Sequence, residues 1–239
     1  MQTQMYYLLL ALYSQSASFR VPEEHTFQSS LPLPSVTAIT GLLGAALGHD
    51  FETAMHFRQK NNLNFGICGT SGSSAYDLWK HRKIKSKETI SSVLKREILF
   101  DVSIELVIAG ENLNILEDIY KAFIDPYFSL CLGTSDDIAK LTHITKPAAI
   151  KTTLISTVEN TYLKGDLSGK YTSSLEIKDI PLDKTIHPPR VYLLPTEYSF
   201  KNGARKLTKK EAFTFVSHPV TLEHPVEGIE CSKRRFPLI

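Results

Sequence analysis

LPLPSVTAITGLLGAALG, residues 31–48, is the stretch on which the fold reading turns. Pro32 and Pro34 stiffen the approach, because each ring fixes φ and removes a backbone donor. Ser35 or Thr37 can then cap a helix, its hydroxyl oxygen accepting from an N–H two or three residues on. Val36, Ile39, Leu43, Ala46 and Leu47 recur at helical spacing and form one apolar stripe. Gly41, Gly44 and Gly48 form a second, bare stripe. A glycine in a helix interior costs roughly 1 kcal/mol relative to alanine, so this face calls for a reason. It lets another backbone, of protein or ligand, come very close. The N–H groups at positions 35–37 also suit a phosphate.

Working outward, residues 5–13 form an apolar run rich in Tyr and Leu that reads as a buried strand. A polar link over 14–30 contains Arg20, His25 and Phe27. LNFGIC (63–68) reads as a short strand, and GTSGSS (69–74) as a turn-rich break. ILFDVSIELVIA (98–109) has the alternation and β-branching of a long strand that Gly110 ends. Over 111–125, Leu113, Leu116, Ile119, Tyr120 and Phe123 share one helical face, and Pro126 stops the helix. Residues 127–132 read as a further strand. After Gly133, Ser135, Asp136 and Asp137 offer caps for a short helix through Leu141. The order is βαββαβ, the α+β, ferredoxin-like (RRM-like) pattern. It defines a domain over 1–141 interrupted by a long insertion at about 69–97. A β-rich region over 142–239 is expected to pack on it, with strands at 149–157, 171–177, 190–195 and 212–217. That region also carries a basic loop at 201–210 and the run Lys233-Arg234-Arg235.

The formal net charge is only +2, so composition alone does not announce nucleic acid. The distribution does. Between positions 80 and 96 lie Lys80, Arg82, Lys83, Lys85, Lys87, Lys95 and Arg96 against the single acid Glu88. Solvated faces usually mix signs. Trp79, the only tryptophan, stands beside Lys80, and an aromatic next to cations suits base stacking with phosphate contact. Both central strands lack the aromatic signature of a classical RNA-recognition motif, so RNA contact would use loops, helix termini and the insertion. A GXXG spacing at 41–44 falls inside a helix, which argues against a KH-type loop.

Catalytic constellations are thin. The glycines and serines of 66–73 are followed by no lysine, so they are not a P-loop, and no Gly-x-Ser-x-Gly elbow occurs. Lys80-His81 could supply a cation and a general acid–base for RNA cleavage, although adjacency inside a basic segment needs no catalytic explanation. Cys68, Cys131 and Cys231 are far apart and lack metal-ligand spacing, which predicts reduced thiols, no metal and no cofactor. The apolar run at 5–13 is too short to span a bilayer, and residues 1–4 lack the positive charge of a secretory signal. A cytoplasmic protein without membrane contact is expected.

In order along the chain, ASFR (17–20), LPLPSVTAITGLLGAALG, the basic insertion, KREILFDVSIELVIAG (95–110) and DPYFSLCLGTSDD (125–137) resemble the Cas-five family of CRISPR-associated proteins. These are RAMP-superfamily subunits of type I Cascade complexes. The resemblance covers about residues 5–141, and size and pattern look most like subtype I-B. It implies a non-catalytic subunit in antiviral or anti-plasmid defence that binds the 5′ handle of crRNA and caps the Cas-seven backbone. It further implies docking of a Cas-eight-type large subunit, with target DNA held by the complex. The insertion would be the family's thumb. RNA contacts would come from Arg20, Ser35, Thr37, Gly41, Gly44, Trp79, Lys80, His81, Arg82, Lys83, Lys85, Lys87 and Arg96. In the subtype I-C branch the protein is itself the processing endoribonuclease, with a tyrosine before the first helix and a lysine–histidine pair. Residues 30–34 here read SLPLP with no tyrosine, which implies that a separate Cas-six nuclease cuts the transcript. Two alternatives stay open: a metal-independent endoribonuclease, and a ferredoxin-like small-molecule enzyme or binder without RNA.

Overall fold

A computed structural model describes residues 4–85, 88–173 and 188–239, with the backbone alone at 81, 83–85 and 88–90. The elements begin with strand β1 (Met5–Ala17) and three two-residue strands, β2 (Phe19–Arg20), β3 (Phe27–Gln28) and β4 (Ser30–Leu31). Helices α1 (Val36–Leu47) and α2 (Phe51–Lys60) follow, then strands β5 (Asn64–Thr70), β6 (Ser73–Lys85) and β7 (Glu88–Gly110). Helix α3 (Leu113–Ile124) precedes β8 (Lys140–Ile144), β9 (Ala148–Ile150), β10 (Thr153–Val158), β11 (Thr161–Lys164) and β12 (Tyr171–Ser173). The chain continues as β13 (Arg190–Lys201), β14 (Ala204–Val216), β15 (Val220–Cys231) and β16 (Arg234–Pro237). Among the described residues no helix is long and apolar enough to cross a membrane.

The fold is mixed, with three helices among the described residues and almost wholly antiparallel sheets. The large sheet runs β13-β14-β11-β5-β7-β1-β8. β7 pairs antiparallel with β1 on one side and β5 on the other. Alternation along these strands feeds two cores. Leu8, Leu10 and Leu12 of β1, Phe65 and Ile67 of β5, and Ile104, Leu106 and Ile108 of β7 face α1 and α3. Leu9, Cys68, Val107 and Ala109 face the other way, onto Ile229 and Phe236 of the smaller sheet β10-β15-β12 with β16. Both faces are therefore covered, which is why β1 reads as an unbroken apolar run. Phe236 comes so near that a Cβ on Gly66 would lie 2.7 Å from its Cβ. Burial there pushes the Cys68 thiol up to about 12, with its nearby charges contributing less.

The opening stretch folds as the capping argument expects. Ser35 is the N-cap, accepting from Ala38 N at 3.3 Å. Gly48 is not a helix-interior glycine but the left-handed C-cap, at φ 73°. Gly44 lies under α2: a Cβ there would sit 2.8 Å from Ala54 Cβ. Its bare face serves helix–helix approach and is not open to a ligand. Around Gly41 nothing lies within 4 Å. Leu33 of the proline segment accepts from the hydroxyl of the fully buried Tyr162 at 3.1 Å, so β11 is tied directly to the α1 approach.

Several local readings are corrected. Residues 127–132 form no strand, because their donors go elsewhere: Tyr127 and Phe128 donate to Ala46 O and Ala45 O, and Leu132 to Asp137 O. No helix runs to Leu141. Asp137, buried, accepts from Ser16 Oγ, Thr134 N and Thr134 Oγ1 and closes a turn instead. The strand next to β1 is β8. Residues 149–157 divide into β9 on β1 and β10 on β15. The basic stretch 201–210 is no loop but the tip and second strand of a hairpin, turned at Asn202 and Gly203 with φ 52° and 76°. The expected strand at 171–177 is described only to Ser173. Helix α2, absent from the sequence reading, is capped by Asp50, whose Oδ1 accepts from Thr53 N at 2.8 Å.

Gly41→Ala should raise stability by up to about 1 kcal/mol, from helix propensity alone. Gly44→Ala should lower it, because helix backbone and Ala54 would have to move. Tyr162→Phe leaves the buried Leu33 carbonyl unpaired and should cost about 1–2 kcal/mol. Urea denaturation of the three variants checks all three signs.

Candidate nucleic-acid interface

The basic insertion is a hairpin. β6 and β7 pair from Ser73 with Phe100 to Lys85 with Glu88. It continues the central strands of the large sheet, with one interruption. Asp101, within β7, has φ 51°, a left-handed value uncommon outside glycine. Gly72 N donates to Phe100 O across from it. The Tyr13 hydroxyl donates to Asp101 Oδ1 at 2.8 Å, and this bond holds the Tyr13 pKa above its ordinary value. After Asp101 the strand is core; before it β7 stays beside β1 at Phe100 and Leu99, opposite Ser16 and Ala17, and its earlier residues form one arm of the hairpin.

The loop after β1 is stitched to the hairpin base. β3 pairs parallel with β7, Phe27 with Lys95 and Gln28 with Arg96. Ser30 N donates to Glu97 Oε2 at 3.0 Å, and Ser18 Oγ to Glu97 O at 3.0 Å. Glu24 accepts from Ser29 N. This stitching brings Phe27 against Tyr76, ring centroids 5.3 Å apart. The Lys95 ammonium lies over both rings, 4.2 Å from Tyr76 and 5.1 Å from Phe27. On the opposite face Arg96 lies over Trp79 at 5.6 Å and pairs with Asp77 at 3.5 Å. Phe27, Tyr76 and Trp79 are 45%, 50% and 48% exposed, so about half of each side chain stays open to a ligand. Aromatic faces with cations beside them stack unpaired bases and meet phosphates.

The candidate residues fall into groups. Trp79 and Arg96 are brought together, and Lys80 and Arg82 lie further out on β6, exposed. Consecutive strand positions alternate between faces, so Trp79 is parted from Lys80, and positions 80 and 81 likewise. Trp79 meets Arg96 across the strands instead of its sequence neighbour. His81, Lys83 and Lys85 lie on the β6 backbone, and Lys87 lies outside the described residues. Arg20 is exposed, but its guanidinium is turned to its own loop, donating to Glu24 O at 2.9 and 3.3 Å. Ser35 and Thr37 sit at the capped start of α1, their hydroxyls 3.1 Å apart. Phe27, Tyr76 and Lys95 were missed as site residues. Phe27 carries no signal of its own, since a parallel pairing some seventy positions away brings it in. Tyr76 and Lys95 could have been found by laying the two arms of a hairpin side by side. Among the described residues no group of three His, Cys, Asp or Glu gathers as a metal site requires.

Comparison with known proteins adds the family. The model of the family described as CRISPR-associated protein (Cas_Cas5) matches residues 7–192. No curated protein sequence matches significantly. In structure the chain is similar to a chain of a CRISPR RNA-guided surveillance complex, at 15% identity and TM-score 0.53, covering 92% of this chain and 91% of that one. It is also similar to a CRISPR protein from Archaeoglobus fulgidus, at 10% identity and TM-score 0.55, covering 97% and 98%. These likenesses concern the fold. The family match spans most of the chain, including β1, the glycine helix, the hairpin and its aromatic base, and on it the chain belongs to the Cas-five family of CRISPR-associated proteins.

Proposed function

We propose that this chain is a non-catalytic subunit of a CRISPR effector complex, a type I Cascade of subtype I-B pattern, and binds the 5′ handle of crRNA. In this reading the β6–β7 hairpin is the thumb of a ferredoxin-like RAMP domain, which the strand order β5-β7-β1-β8 supports. The protein caps the Cas-seven backbone, adjoins a Cas-eight-type large subunit and helps to hold target DNA. The observation that carries the reading is the platform at the hairpin base. Phe27 and Tyr76 with Lys95 over them on one face, and Trp79 with Arg96 over it on the other, leave three half-exposed rings beside a strand rich in cations. Handle nucleotides stack on the rings, and the cations further along meet phosphates. The non-catalytic assignment rests on residues 30–34, which offer no tyrosine before α1. It rests also on strand positions 80 and 81 alternating between faces.

Trp79→Ala should weaken crRNA binding about tenfold, since one base–aromatic stack is worth about 1–3 kcal/mol. Lys95→Ala should lower the slope of log affinity against log salt by about 0.7, the share of one phosphate on a single strand. Fluorescence anisotropy with handle RNA at several salt concentrations reads both, and unchanged affinity and slope would refute the platform. Repeat RNA incubated with the chain in EDTA should stay intact. Cleavage that disappears in His81→Ala would instead establish an endoribonuclease.

A further inference from the structure

The β13–β14 hairpin carries a second cationic, aromatic surface that the handle-binding reading does not use. Its arms pair Phe200 with Arg205, Ser199 with Lys206 and Lys201 with Ala204 around the Asn202-Gly203 turn. The hairpin lies over α2. Phe51 of α2 meets Tyr198 edge-on at 5.5 Å and Phe200 at 6.0 Å, and His56 approaches Phe200 at 6.5 Å. The Arg205 guanidinium roofs this cluster, 5.4 Å from Phe51 and 5.7 Å from Tyr198. None of the three rings is buried, and Arg205 is exposed.

Charge around the cluster is one-sided. Lys209 is held by Glu197 and Glu211, and Lys210 by Glu23. Lys201, Arg205 and Lys206 are exposed and have no carboxylate partner among the described residues. Thr53, His56, Phe57, Gln59 and Lys60 of the same helix border a shallow, open surface. A guanidinium stacked on one side offers its other face to a base, and lysines around it meet phosphates. A docking face for an acidic protein would need the cations but not the partly exposed rings beneath them.

We infer that the β13–β14 hairpin and α2 form a second contact surface for a single-stranded polynucleotide, with Arg205 as the stacking group and Lys201 and Lys206 as phosphate contacts. It stands apart from the β6–β7 platform, and either can fail without the other.

The test uses the full chain with fluorescein-labelled mixed-sequence single strands, RNA and DNA in separate arms, read by anisotropy over a salt series. Lys201→Gln with Lys206→Gln should lower the log–log salt slope by about 1.4, two phosphates at about 0.7 each. Arg205→Lys keeps the charge but loses the planar stack; it should weaken binding severalfold with the slope unchanged. Both effects should persist in a Lys95→Ala background, which separates this surface from the hairpin platform. The stronger arm identifies RNA or DNA as the strand bound. The lysine positions are exposed at a hairpin tip, so melting temperature should hold; if it does not, single Lys201→Gln and Lys206→Gln variants should each lower the slope by about 0.7. Unchanged slopes and affinities in both arms would overturn the proposal. So would polyglutamate competing as well as unlabelled oligonucleotide, which would make the surface an acidic-protein docking face.

Discussion

The pairing of β7 is the constraint on which the rest of the structure depends. One strand is central to the large sheet along its last turns and an arm of the free hairpin along its first. Its register is therefore read twice. A slip of one residue would exchange Ile104, Leu106 and Ile108 for Val107 and Ala109 beneath the helices. It would also carry Lys95 off Phe27 and Tyr76. The core thus holds the register of a surface that has almost no core of its own. Asp101 marks the change of duty, and the bond from Tyr13 anchors its side chain to the neighbouring strand.

What could be read from the chain followed how local each signal was. The α1 stripe, its serine cap and the α3 face at Leu116, Ile119 and Phe123 are helical signals complete within a few turns. The charge imbalance of residues 80–96 needed no partner to be seen. Residues 127–132 look like a strand by composition, but the carbonyls at the end of α1 claim two of their donors, a tertiary fact. Helix α2 buries chiefly Ala54 and Met55, too little apolar surface to leave a periodic trace, and only Asp50 announced it. The platform was half legible. Its cations and Trp79 stood out, whereas Phe27 owes its place to a parallel pairing that no spacing reveals.

The motifs that carry the family resemblance divide between architecture and ligand. The LGTSDD turn is architecture: Asp137 ties it to Ser16, and Gly133 passes so close to Ser18 that any Cβ would strike the Ser18 carbonyl. The glycine helix is mostly architecture as well, since α2 lies against Gly44 and Gly48 lies under the Tyr127 ring. The hairpin is the exception. Its arms bury little, and what they present is chemistry rather than packing.

Phe65 and Ile239 exchange both backbone hydrogen bonds, at 3.2 and 2.8 Å, and this pairing shapes how the chain comes together in time. Beyond Asn64, β5 has β7 on one edge and, on the other, only Thr161 of β11 in ladder register. Until residues near 239 arrive, an apolar strand is left with an open edge, the kind that recruits other chains. Pairings this distant in sequence are also slow to form. A nascent chain that has made α1, α2 and α3 therefore still carries a sticky seam at its centre, and its yield on expression will depend on how fast that seam is closed.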